Sequence, residues 1–372
     1  MKILTKILLP RQLLLLLILS TGLLNHVILI PNLLTAAGRD SWISVIVSYP
    51  ISIIFLWLIY YIVKNSPPEG FFTLVRQRLG IVFSTLLSIP VMLFLFTSSY
   101  VTLKDLIIWL NAYFLADSSI LMITIVLFIS CFIFTLAGVK HMAITSGYLL
   151  PLVMIFGISI AIINTDLKDP SLLFPILAEG FSPLLRGIIY SLSGLLEIYV
   201  VILLQPFSQE PIKFRQLFIL LTILTGLIFG PLSASLMEFG PTESVNYRYP
   251  AYEQWRVLSI GEYINHLDFF ALYQWLSGAL IRVGLLMFLL GLFLTKKVNH
   301  YRLNLRVILF TYLLLFCLMV FVKVEAHYFN IFIYKYFLPS CLIIFLIQIL
   351  VSALIIFVLK RRGVQHDANI KL

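Results

Sequence analysis

Ten runs of roughly twenty apolar residues follow one another along this chain and limit what it can fold into: 12–34, 42–63, 81–103, 118–136, 140–163, 184–205, 214–237, 267–295, 303–323 and 336–359. A helix crosses the hydrocarbon core in about 20 residues. Backbone N–H and C=O groups cannot stay unpaired in lipid, so each spanning run must be a helix. Composition agrees: 61% of the 372 residues are hydrophobic and 11% are charged. Soluble domains carry about 25% charged residues, and too few are present here to build a solvated surface. The expected fold is an all-α membrane protein, one domain over 1–372, embedded in a lipid bilayer through ten transmembrane helices.

The net charge of +10 sits in short loops and has no accompanying basic aromatic face, so no nucleic-acid partner is expected. Its distribution predicts topology instead. With both termini cytoplasmic, seventeen basic residues fall inside, among them Lys2, Lys6, Arg11, Lys64, Arg76, Arg78, Lys140, Lys213, Arg215, Lys296, Lys297, Arg302 and Lys360 to Arg362. Eight fall outside: Arg39, Lys104, Lys168, Arg186, Arg248, Arg256, Lys323 and Lys335. Cytoplasmic loops carry such an excess of Lys and Arg. The basic N-terminus and its Leu-rich run resemble a secretory signal without a small-residue cleavage site, and are read as a retained first span.

Two stretches are too polar to span. Residues 69–79 predict a cytoplasmic interfacial helix with Phe71, Phe72, Leu74 and Val75 toward lipid. Residues 238–266 predict an outer segment that is either a solvated loop or a lid over a site. The cysteines, Cys131, Cys317 and Cys341, lie in apolar runs without CxxC spacing and are read as core residues.

Ten spans divide into halves of five, about 12–163 and 184–359. Five is odd, so the second half starts from the opposite face, which permits an inverted repeat with interrupted helices 1 and 6 around a midplane site. Span 1 carries Ser20, Thr21, Gly22, Asn25 and His26, and span 6 carries Ser193, Gly194 and Glu197. Small and hydroxylated residues at these places serve either unwinding, with backbone groups freed for a ligand, or close helix packing. A charge at a helix centre costs about 2.5–3.5 kcal/mol on insertion scales, so neither Glu197 nor Arg282 should face lipid. Glu197 is read as a ligand or cation group, or as half of an ion pair with Arg282. Thr97 and Tyr100 in span 3 share a helical face and join the candidate ligand set, although such hydroxyls also bond their own helix. Histidine spacing gives no metal site, no cofactor is implied, and no nucleotide loop or hydrolase triad argues for an enzyme.

Several segments together make the chain resemble the spore-germination permease family, the B subunits of nutrient germinant receptors, within the amino acid–polyamine–organocation superfamily. They are AAGRDSWIS at 36–44, with Gly38, Arg39, Asp40 and Trp42, and FPILAEGFSPLLRG at 174–187, with Pro175, Gly180 and Pro183. The longest is YPAYEQWRVLSIGEYINHLD at 249–268, with Pro250, Arg256 and a Ser259-Ile260-Gly261 turn, followed by Trp275. Relatives place a small residue seven positions before the span 1 proline. Here the proline is Pro31 and the position holds Leu24, with Gly22 displaced by two. Glu197 matches a position where relatives often have Glu, and Arg282 one where many have Lys or another polar residue.

The resemblance implies a 5+5 inverted repeat and a multi-pass protein of the spore inner membrane. It implies binding of a small nutrient, such as an amino acid, to trigger germination, and partnership with a receptor A subunit and a C lipoprotein. Two other functions are compatible with the residues: an ion-coupled amino acid transporter, and a subunit of an ion-conducting complex without its own ligand.

Overall fold

A computed structural model describes residues 6–259, 267–295 and 304–370, with side chains as far as Arg361. Its helices in chain order are α1 (Pro10–Leu23), α2 (Leu29–Ala37), α3 (Ser41–Asn65), α4 (Phe71–Leu79), α5 (Ile81–Tyr113), α6 (Ile120–Ile163) and α7 (Phe181–Leu195). There follow α8 (Val200–Leu204), α9 (Phe214–Asn246), α10 (Pro250–Arg256), α11 (Phe269–Leu294), α12 (Leu305–Phe321), α13 (Ala326–Phe332) and α14 (Leu338–Ile370). The described residues form no sheet, only one isolated bridge between Leu8 and Ser208.

Seven helical stretches are long and apolar enough to cross a membrane, and α12 is apolar but shorter. Two of the seven, Pro10–Asn65 and Ile120–Leu167, turn sharply inside at Gly38 (φ 52°) and Gly138 (φ 82°). Glycine is needed there because a Cβ is strained at such φ. The breaks fall where the sequence separates spans 1 from 2 and 4 from 5.

Prolines explain two further irregularities. A proline ring lacks an N–H and clashes with the carbonyl four residues back. Pro31 and Pro339 therefore disturb the helix at Val27 and Lys335, and both positions lie inside π-helical turns, Leu24–Ile28 and Ile333–Phe337. Just beyond span 7, Gly240 (φ 78°) kinks α9, which continues to Asn246, and α10 follows. The outer segment expected over 238–266 is thus partly helical, and its 260–266 portion, including Ile260-Gly261, lies outside the described residues.

Burial sorts the helices. Within one apolar eighteen-residue segment of each helix, 83% of the residues are buried in Phe181–Phe207 and 78% in Phe269–Leu294, against 33% in Ile81–Tyr113, so α7–α8 and α11 form the inside with α1–α2. Peripheral helices turn apolar side chains outward: Ile54 is 64% exposed, Val82 71% and Phe310 66%. Such faces are incompatible with water on this scale and match hydrocarbon.

The amphipathic helix at 71–79 forms, but its orientation corrects the expectation. Phe71 and Val75 are 1% and 0% exposed, packed against protein rather than lipid. Gly70 lies against Pro206, and Phe72 meets Phe293 edge-on at 5.1 Å. The outward face carries Arg76, Gln77 and Arg78.

Candidate functional site

The distortions of spans 1 and 6 meet across Gly194. A Cβ there would lie 2.6 Å from Leu29 Cδ2 and against the Asn25 amide oxygen, so any side chain at 194 would force Asn25 and Leu29 to move. Of the two readings open for Ser20 to Gly22, span 1 takes close packing, with α1 continuing to Leu23. It stays hydrogen-bonded, and its irregular π turn begins at Leu24. Gly22 serves packing, since a Cβ would sit 3.0 Å from Leu227 Cδ1. Span 6 tightens into a 3-10 turn over Leu196–Tyr199, which carries Glu197 inward.

Glu197 and Arg282 of α11 meet there. Arg282 Nη1 donates to Glu197 Oε1 at 2.5 Å, and Nη2 donates to Oε2 at 2.9 Å. Their side chains are 1% and 0% exposed. A guanidinium has five N–H donors, and the remaining ones are also met. Nη1 donates to the Ser20 carbonyl at 3.1 Å, Nη2 to Ser98 Oγ at 2.6 Å and Nε to Thr102 Oγ1 at 3.1 Å. Thr102 Oγ1 itself donates to the Ser98 carbonyl, which leaves its lone pairs for Arg282. Thr21 Oγ1 donates to Glu197 Oε1 at 3.2 Å. A buried pair survives desolvation only with such complete satisfaction.

The structure thus gathers Thr21, Glu197 and Arg282 into one constellation, with Asn25 and Gly194 on the facing side. Asn25 is 0% exposed, and neither its Oδ1 nor its Nδ2 has a hydrogen-bond partner among the described residues. Burying an amide unpaired is costly, so this group is poised for a partner. His26 is half-buried with Nδ1 unpartnered. Ser193 donates to the Tyr190 carbonyl at 2.6 Å. Thr97 does not join the constellation but bonds its own helix at the Leu93 carbonyl, 2.8 Å, and Tyr100 packs edge-on with Phe329.

Sequence reasoning missed Thr102 and Asp105. With Ser98 and Trp109 they recur at i, i+4, i+7 and i+11 along α5, a polar stripe within an apolar run. Asp105 Oδ1 accepts from Arg248 Nη2 and from Tyr249 OH, and Arg248 Nε reaches Asn330 Oδ1 at 2.7 Å. Trp109 packs against Trp275 and Tyr252, with ring centroids 3.8 and 5.3 Å apart.

Helix α10 lies within this layer. The Asn164 amide donates to the Gln254 carbonyl at 2.9 Å, Gln254 Nε2 to the Pro231 carbonyl at 2.8 Å, and Trp255 Nε1 to Gln274 Oε1 at 3.1 Å. Tyr252 donates to Asp268 at 2.9 Å. Burial and that carboxylate push the Tyr252 hydroxyl above its ordinary range, so it remains a donor. Between this layer and the ion pair is a cavity of about 10 Å³, room for about one water. Val27, Ile28, Thr102, Asp105, Trp275 and Ala279 are among its walls.

Asp40 ties two of the sequence signatures together, its carboxylate accepting from the Leu177 amide at 3.0 Å. Among the described residues no group of three or more metal-ligating side chains is found.

Long apolar helices closed around a buried charge pair define a multi-pass, permease-like membrane protein. The family of spore germination proteins matches residues 8–326, and the chain belongs to that family. It is 41% identical over 280 residues to spore germination protein XB of Bacillus anthracis, covering 75% of this chain and 78% of the relative. Spore germination protein KB of Bacillus subtilis (strain 168) is 23% identical over 264 residues, covering 68% and 69%. These relatives are named for germination rather than for an enzymatic reaction.

Proposed function

We propose that this protein is the nutrient-sensing membrane subunit of a spore germinant receptor. It binds a small nutrient, an amino acid first among them, where spans 1 and 6 are distorted, and works beside a receptor A subunit and a C lipoprotein in the spore inner membrane. The carrying observation is the unpartnered Asn25 amide, 0% exposed, beside the Glu197–Arg282 pair. Unsatisfied polarity next to paired charges is the arrangement a polar ligand completes. The neighbouring cavity, lined by Val27 and Ile28 of the same π turn but not by Asn25 or Glu197, is far smaller than the roughly 300 Å³ of ordinary ligand pockets, so binding there requires α10 and its aromatic layer to shift.

The same reading takes the chain as ten spans in a 5+5 inverted repeat. Seven long stretches, two of them divided at Gly38 and Gly138, together with α12, give that number. Residues near the N-terminus and Lys360 gather at one end, which supports termini on one side of the membrane, and the excess of Lys and Arg assigns that side to the cytoplasm. Leu8 bonds Phe207 there, and Lys360 Nζ reaches Asn65 Oδ1 at 3.3 Å.

The test is a panel of amino acids, sugars and nucleosides applied to spores carrying Asn25→Thr with His26→Ser at matched protein levels. Nutrient ranking or pH dependence is expected to change, because a hydrogen-bonding site discriminates strongly against ligands that leave it unpaired. Unchanged ranking, half-maximal concentrations and pH profile would put the site elsewhere.

A further inference from the structure

The stripe on α5 joins two charge pairs with a cavity between them. Ser98 and Thr102 hold Arg282, Thr102 and Asp105 line the cavity, and Asp105 holds Arg248. Asp105 is 3% exposed. Both side-chain bonds to its carboxylate fall on Oδ1, from Arg248 and Tyr249, and Oδ2 takes none among the described residues. An ionised carboxylate offers about four acceptor sites, so Asp105 keeps capacity on an oxygen that Arg248 does not use.

We propose that Asp105 recognises the ammonium group of a small aliphatic α-amino acid, held in an expanded form of this cavity. The inference rests on the nutrient-sensing reading and names a recognition residue for its amino-acid ligand. The walls decide between a metal cation and an organic one. Among the lining residues only Thr102 and Asp105 bring side-chain oxygens, whereas hard metal ions take about six or more oxygen ligands. An alkylammonium needs a carboxylate for its N–H groups and apolar surface for its carbon, and Val27, Ile28, Trp275 and Ala279 supply that surface.

The position also couples occupancy to movement. Arg248 lies two residues before α10, so an ammonium drawn to Asp105 competes for the carboxylate that anchors the covering layer. Ligand entry and loosening of α10 become one event.

The test uses the purified full-length protein in lipid nanodiscs, with binding followed by calorimetry. Probes are glycine, L-alanine and L-valine, the α-hydroxy acids with the same side chains, glucose and adenosine. Wild type is expected to bind at least one amino acid and to reject its hydroxy acid. Asp105→Asn should weaken that binding by about 100-fold or more, the scale of truncating one member of a buried charge pair. Arg248→Lys, which keeps a cation beside the carboxylate but gives up the Nε bond to Asn330, should change it only a few-fold.

If Asp105→Asn fails to fold, Asp105→Glu replaces it and is expected to bind more weakly while still preferring the ammonium. Four results overturn the inference: an Asp105 variant that binds as wild type does, equal binding of hydroxy acid and amino acid, binding of glucose or adenosine alone, or equal losses in Arg248→Lys and Asp105→Asn. In each of these the sensing function itself survives. Failure of wild type to bind any probe overturns both readings.

Discussion

Glu197 and Arg282 meet in a two-point contact whose strongest support is the satisfaction around it, since each remaining guanidinium N–H finds an oxygen on α1 or α5. Removing one partner is therefore worse than removing both. Glu197→Gln leaves a buried guanidinium uncompensated and should cost about 3–5 kcal/mol, whereas replacing a buried pair by apolar residues is often neutral. Membrane abundance and the thermal midpoint are expected to fall in Glu197→Gln and to recover in Glu197→Gln/Arg282→Leu, while the nutrient response stays lost in both. A double variant that regains the response would reduce the pair to a structural element.

Helix distortions arise here from identifiable residues. Both π turns contain the position four before a proline, Val27 before Pro31 and Lys335 before Pro339. The second exposes a carbonyl that is used: Tyr190 OH donates to the Tyr334 carbonyl at 2.9 Å, with the two rings stacked 4.8 Å apart. Close approach of helices rests on glycine. At Gly187 of α7 a Cβ would lie 2.7 Å from Ser44 Cβ and 2.8 Å from Ala37 Cβ. Gly187→Ala is expected to destabilise by about 1–3 kcal/mol, the usual cost of overpacking, read as a lower thermal midpoint. Gly226→Ala on α9 is the control, because nothing lies within 4 Å of its added Cβ. A midpoint unchanged by Gly187→Ala would mean that α3 and α7 yield freely.

At the scale of the molecule, the proposed topology puts α10 outside and α4 inside. Single cysteines introduced at position 366 and within 240–250 of a cysteine-free background should label from opposite sides of the membrane. A membrane-impermeant reagent is expected to reach the 240–250 position in intact cells and to reach 366 only after lysis. Labelling of 366 in intact cells would reverse the assignment.

Much of this protein was legible in one dimension because lipid imposes a local rule. Every backbone group must be paired within its own segment, so long apolar runs become helices, and Gly38, Gly138 and the prolines mark their interruptions. The rarity of charge in hydrocarbon likewise picked out Glu197 and Arg282 before any fold was known. The partners of those charges were not legible. Thr102 and Asp105 look like ordinary polar residues near the end of a span until α5 packs beside α11. Phe71 and Val75 show amphipathicity that fits either lipid or protein, and only the tertiary contact assigned them inward. Apolar pattern reports that a face avoids water, and which apolar surface meets it is decided by neighbours distant in sequence.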